Sequence, residues 1–264
     1  MILIGIAAMI NEVMDRQMLT MFLPLPEADA KRIVGIYAAN YKLAIFVTLF
    51  IQAFKLAAEP FFFDQSRDKN APQLYARVMK WFVITMALAF LFTALYLDIW
   101  KYFIGSSYRS GLGIVPILLA ANICLGIYYN LSIWYKLTDK MQMGLYITLF
   151  GAAITLVGNY LFIPQWGMYA AAWATFACYF AMMVTAYLLG QQYYPVPYNV
   201  KKIAAYLVAM LLLFFAQTGV KMLTETIAIR LVTATIFMGL FLLLILKAES
   251  KELKGMPFIG KLIS

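Results

Sequence analysis

The chain is predicted to be an all-α polytopic membrane protein with about eight transmembrane helices. Three observations lead there. It has 264 residues, 64% hydrophobic and only 12% charged, against about 25% charged in soluble domains, so its polar groups cannot cover a globular surface. Its apolar stretches recur at the roughly 20 residues a helix needs to cross a bilayer, about twice the length of a barrel strand. Its basic residues gather in alternate connections between those stretches, the asymmetry that orients membrane proteins.

The apolar stretches fall at about 1–23, 35–58, 78–98, 113–135, 144–162, 169–190, 202–220 and 230–246. The breaks between them carry turn residues: Pro24 and Pro26, Pro60 with Pro72, Gly111 with Gly113, Pro164 with Gly167, and Pro195 with Pro197. No soluble domain fits between the spans. One side holds Arg67, Lys69, Arg77, Lys80, Lys136, Lys140, Lys201, Lys202, Lys247, Lys251, Lys254 and Lys261. The other holds only Lys31, Arg32, Lys101, Arg109, Lys221 and Arg230. Twelve against six places the tail, and with eight spans the N-terminus, in the cytoplasm. Met1 opens directly into apolar sequence without a basic flank, so the expectation is that residue 1 lies within or just at the edge of a helix of a longer protein.

The net charge of +9 is explained by this orientation rather than by nucleic acid. Cys124 and Cys178 lie inside apolar runs and form neither a disulfide framework nor a metal spacing, and the chain has no histidine. There is no Walker-type glycine loop and no Gly-x-Ser-x-Gly elbow. The longest connection, 59–77, is short. No cofactor, no metal and no enzymatic activity are therefore expected, and moving something across the bilayer is the class that remains.

Charged groups at membrane depth are costly and face a bundle interior or an aqueous cavity. They concentrate in the first two spans. Asn11, Glu12, Asp15 and Arg16 form one group, in which Glu12 and Arg16 stack four residues apart. In the second span Tyr37, Tyr41, Thr48, Gln52, Lys55 and Glu59 share a face roughly 60° wide, with Asn40 beside it and Lys42 turned away. Two readings fit: an interhelical salt-bridge network, such as Lys42 to Asp15 or Glu12, or a hydrated, partly cationic cavity for an anionic substrate. A stripe that runs the whole span exceeds what one ion pair needs and favours the cavity. Trp81, Trp100, Trp134, Tyr135, Trp166 and Tyr193–Tyr194 fall where interfacial anchors sit.

The stretch NYLFIPQWGMYAAAWAT (159–175) reads as a tight hairpin. Pro164 is expected to end one helix, Gly167 to permit the return, and Ala170–Ala172 with Ala174 to let the next helix approach closely. Asn159 is expected to make a packing hydrogen bond.

Together with MINEVMDRQML (9–19), VGIYAANYKLAIFVTLFIQAFKLAAEPFFF (34–63) and GIYYNLSIWYKLTDK (126–140), this stretch resembles polysaccharide-biosynthesis membrane proteins. These are O-antigen and lipid-linked oligosaccharide flippases of the multidrug/oligosaccharidyl-lipid/polysaccharide (MATE-like) exporter superfamily. The resemblance implies two six-helix lobes around a cavity, with 1–190 similar to the second lobe and 191–264 to two additional helices and a basic tail. It implies translocation of an undecaprenyl-pyrophosphate-linked oligosaccharide across a bacterial inner membrane by alternating access, for surface polysaccharide and lipopolysaccharide synthesis. Its partners would be that anionic lipid-linked oligosaccharide, membrane lipids, a first lobe and other polysaccharide-assembly proteins, with no nucleic acid. On the same resemblance Arg16, Lys42 and Lys55 would hold the head group, and Tyr37, Asn40, Tyr41 and Gln52 would contact sugar. Asn11, Glu12, Asp15 and Glu59 would gate or couple to Na⁺ or H⁺. The alternatives are a cation-coupled drug or metabolite exporter, a membrane-embedded polymerase or transferase, and a non-transporting assembly partner.

Overall fold

The computed structural model describes residues 14–254, without the side chains of Ile45 and Phe46. Regular structure among the described residues is entirely helical. Helix α1 covers residues 14–22, followed by α2 (Glu27–Gln65), α3 (Ala71–Leu95) and the short α4 (Leu97–Trp100). After two 3-10 turns, Lys101–Phe103 and Ser106–Ile114, come α5 (Val115–Leu131), α6 (Ile133–Leu137), α7 (Met141–Trp166) and α8 (Met168–Tyr193). The chain then continues through α9 (Val200–Leu223), α10 (Ile227–Ala248) and α11 (Ser250–Lys254).

Among the described residues, six stretches are long and apolar enough to cross a bilayer: α3, Ser106–Leu137, α7, α8, α9 and α10. The bent α2 makes a seventh if its two arms form one span. The molecule is thus a multi-pass helical membrane protein. The first predicted span falls mostly outside the described residues.

α2 is 39 residues long and bends by 51° between Glu27–Ala44 and Val47–Gln65. At the bend the Thr48 hydroxyl donates to the Ala44 carbonyl at 3.3 Å, a back-bond that competes with the helical ladder and bends helices. The helix then runs through Pro60, one of the predicted breaks. Proline there costs one ladder bond, but Tyr75 of α3 donates to the Phe62 carbonyl at 2.7 Å and packs edge-on against the Phe62 ring. That contact holds the last turns in place.

α7 likewise runs through Pro164 and ends two residues later. Gly167 stops it, at φ 54° and ψ −130°, a conformation open essentially to glycine alone. Its N–H still reaches the Ile163 carbonyl at 2.9 Å. So close to the helix end, the N–H that proline lacks is a small loss.

α5 is the central helix, packed against α8, α2 and α3. α7 lies along α8, while α9 rests on α3 and α10 on α9 and α3. Tyr75 faces Tyr194, Lys140 sits over Tyr193 and Arg77 pairs with Glu252, so the turns at 66–70, 138–140 and 194–199 gather with α11 at one end of the bundle, here the basic end. Two predicted anchors there are buried instead. Trp134 donates from Nε1 to the Ala186 carbonyl at 3.0 Å, and Tyr135 is buried beside Tyr128. Glycines across the interface admit them: a Cβ on Gly190 would stand 2.8 Å from Trp134 Cδ1, and one on Gly144 2.8 Å from Tyr135 Cε2.

α9 and α10 bury only narrow stripes, Tyr206, Met210 and Gln217 on one and Ala234, Phe241 and Ile245 on the other. Charges fasten both ends of this pair. At the end opposite the basic one, Asp98 faces Lys221 at 3.3 Å, Lys101 at 3.7 Å and Arg230 at 3.8 Å. At the basic end Glu249 is buried and bound by Tyr206 at 2.6 Å, Lys202 at 2.7 Å and Lys80 at 2.8 Å. Glu252 of α11 joins the same Lys80, together with Arg77 and the Trp81 indole N–H. Burial pushes the Glu249 carboxyl up, but the hydrogen bonds from Lys202, Lys80 and Tyr206 outweigh it and hold it at about 2.

Candidate functional site

Asn11 and Glu12 lie outside the described residues. The other predicted site residues sit on α1 and α2, and the structure sorts them into two clusters on either side of the α2 bend.

The first cluster centres on Asp15, only 2% exposed. Its Oδ2 accepts from the Tyr37 hydroxyl at 3.0 Å and the Thr175 hydroxyl at 2.5 Å, and its Oδ1 accepts from Asn159 Nδ2 at 2.8 Å. One carboxylate therefore joins α1, α2, α7 and α8. Asn159 lies seven residues before the end of α7, and Thr175 seven after the start of α8. That places the cluster about 10 Å along those helices from the Gly167 corner. An ionised carboxylate is an acceptor only, and three neutral donors satisfy it. Asn159 Oδ1 is buried beside it without a hydrogen-bond partner. The result is a buried, oxygen-rich cluster of carboxylate, amide carbonyl and two hydroxyls, in which the carboxylate can take up a proton.

Arg16 borders this cluster, its guanidinium 5.3 Å from the centre of the buried Tyr41 ring, which itself lies beside Tyr37. Asn40 is fully buried and donates to the Ile36 and Tyr108 carbonyls, both at 2.8 Å, pinning the second 3-10 turn to α2. Lys42 is exposed and is not among the partners of Asp15, whose hydrogen bonds come from neutral groups. Gln52 is half-buried along α2 between the clusters.

The second cluster lies at the basic end. Lys55 Nζ sits 4.4 Å above the Tyr129 ring centre. Glu59 Oε1 pairs with Lys136 Nζ of α6 at 2.8 Å. These side chains line a partly open space of about 10 Å³ together with Asn130, Ser132 and the apolar Phe54, Phe62 and Ile133.

Sequence reasoning did not single out Thr175, Tyr129, Asn130 or Lys136 as site residues. Lys136 counted only towards orientation, and Thr175 is a short hydroxyl in an alanine-rich run. Asn159 was legible as a hydrogen-bonding residue in an apolar span; its partner was not. Compared with known protein families, curated proteins and solved structures, the chain matches none.

Proposed function

We propose that the chain is the second lobe (1–190) and additional helix pair (191–264) of a MATE-like flippase. Its substrate is an undecaprenyl-pyrophosphate-linked oligosaccharide, moved across a bacterial inner membrane by alternating access, with both termini cytoplasmic and a first lobe completing the cavity. The observation that supports this reading most is the bent α2. One arm carries Tyr37, bonded to Asp15, and the other carries Lys55. A helix with a carboxylate clasp on one side of a bend and a cation on the other can pass a change at the first to the second.

In the proposed cycle, a proton or cation taken up at Asp15 weakens its bonds to Asn159 and Thr175 and frees α1 and α2 from α7 and α8. Straightening or bending of α2 then repositions Lys55. Arg16, Lys42 and Lys55 attract the pyrophosphate through charge-assisted hydrogen bonds, and Gln52 meets sugar hydroxyls. Tyr37 and Asn40, already bonded to Asp15 and Tyr108, position the helix rather than the sugar.

The test replaces a bacterium's own flippase gene with the full reading frame that contains this chain. Asp15→Asn and Lys55→Met are expected to reduce surface polysaccharide at unchanged membrane abundance. Normal polysaccharide in both variants refutes the reading. A changed drug susceptibility with normal polysaccharide supports the cation-coupled exporter in its place.

A further inference from the structure

The geometry points to a self-plugged phosphate site at the basic end, in which the Glu59 carboxylate, paired with Lys136 in a space that Lys55 also lines, occupies the position of an incoming phosphate group. This deepens the transport reading, on which it rests only in taking the phosphate to belong to a lipid-linked sugar.

Lys55 and Glu59 stand on successive turns of α2, and Lys136 reaches Glu59 from α6. The Lys136 side chain is 17% exposed and pairs with Glu59 at 2.8 Å, so water screens this contact less than an open surface pair. Lys55 is held over the Tyr129 ring, whose quadrupole steadies an ammonium without neutralising it. Two cations and one carboxylate leave net positive charge on the lining of this space. That space of about 10 Å³ has room for a single water. A phosphate enters only when Glu59 leaves.

Glu59 can leave. Its side chain is 37% exposed, so swinging outward returns the carboxylate to water instead of stranding it in an apolar environment. A phosphate dianion in its place faces two ammonium groups and gains charge-assisted hydrogen bonds from both. Asn130 and Ser132 are the other polar groups of a wall completed by Phe54, Phe62 and Ile133. Asn130 is 4% exposed, its Nδ2 is engaged by the Gly126 carbonyl at 3.1 Å, and its buried Oδ1 has no hydrogen-bond partner. An acceptor beside a phosphate site suits a hydroxyl, either of the attached sugar or of a singly protonated phosphate. Lys136 thus becomes a binding residue, and Glu59 an internal competitor that keeps the site closed when no substrate is bound.

The experiment uses the full reading frame purified in detergent, with inorganic pyrophosphate as probe and calorimetric titration as readout. Glu59→Gln is expected to bind pyrophosphate about tenfold more tightly than wild type, and Lys136→Met about tenfold more weakly. Equal affinity in wild type and Glu59→Gln, or in wild type and Lys136→Met, overturns the site. Should either variant fail to fold, carbodiimide labelling of Glu59 in the wild type replaces it. Labelling is expected to rise when pyrophosphate is added, and no rise overturns the plug. In nanodiscs, pyrophosphate affinity is expected to be the same with phosphatidylcholine or phosphatidylglycerol; its loss with phosphatidylglycerol would assign the site to bilayer headgroups and overturn the substrate assignment. Unaltered titrations with polysaccharide lost in Asp15→Asn cells refute the plugged site alone. Tighter binding by Glu59→Gln with normal polysaccharide in both Asp15→Asn and Lys55→Met cells refutes the transport reading alone.

Discussion

Replacing Glu249 by glutamine removes the charge at the centre of the basic-end latch while keeping its size. The carboxyl is held at about 2 against an ordinary 4.5. At about 1.4 kcal/mol per pH unit, the docked latch draws on the order of 3 kcal/mol from that one charge. Only 2% of the side chain is exposed, so water screens little of it. In Glu249→Gln, Lys202 loses its counter-charge and Lys80 keeps only Glu252, so fewer charges hold this end and α11 is expected to leave its seat more often. Leu253, 4% exposed, makes the reporter. In a Leu253→Cys background, thiol labelling from the aqueous side is expected to rise by roughly a hundredfold on adding Glu249→Gln. Cys124 and Cys178 are both buried and give a constant background. A rise of less than about threefold refutes the reasoning, because the latch would then not depend on this charge. The pH dependence has a fixed sign. With its folded value depressed, Glu249 contributes stability that is fully present above about 4.5 and is lost as pH falls through about 2. Hydrogen exchange at the Leu253 amide, bonded to the Glu249 carbonyl at 2.9 Å and normalised to the intrinsic rate, is expected to accelerate across that window.

Three other substitutions separate packing from function. Asp15→Leu leaves the donors of Tyr37 and Asn159 without their acceptor, at about 1–3 kcal/mol for each buried group, while Thr175 keeps the Ala171 carbonyl at 3.0 Å; lower membrane abundance and melting temperature are expected, and wild-type values would mean the clasp does not hold the helices. Gly126→Ala puts a Cβ 2.5 Å from Phe82 Cζ, whose ring is already packed on Phe54. It is expected to cost about 1–3 kcal/mol of stability, and the shortening Phe82→Leu to restore part of it in a thermal melt. Lys42→Gln, at an exposed position, is expected to leave melting unchanged within about 0.5 kcal/mol while lowering surface polysaccharide; a large drop in melting would assign Lys42 to structure.

The spans were legible because hydropathy over about 20 residues records the one constraint a bilayer imposes on every helix. The structure places α7 at Met141–Trp166 and α8 at Met168–Tyr193, around the apolar stretches 144–162 and 169–190. What failed was local punctuation. Pro60 and Pro164 read as breaks, yet both are helical, because a proline costs one ladder bond and neighbouring contacts decide where the helix stops. Trp134 and Tyr135 read as interfacial anchors; they are buried because Gly190 and Gly144, 56 and 9 residues further along the chain, leave space for their rings. The polar stripe on α2 was visible as a 3.6-residue period, but a period does not say which neighbour each turn meets. Tyr37 meets Asp15 and Glu59 meets Lys136, on opposite sides of a bend marked in the sequence only by Thr48. Thr175 joins the Asp15 clasp from 160 residues away, a distance no local pattern spans.

The most direct test of the central proposal is a translocation assay. The full reading frame is reconstituted into liposomes with a fluorescent undecaprenyl-pyrophosphate oligosaccharide, and the label exposed on each leaflet is followed by a membrane-impermeant quencher. Wild-type protein is expected to equilibrate the label between leaflets, and Asp15→Asn to leave it in the leaflet where it started. A wild-type rate equal to that of protein-free liposomes would contradict the account.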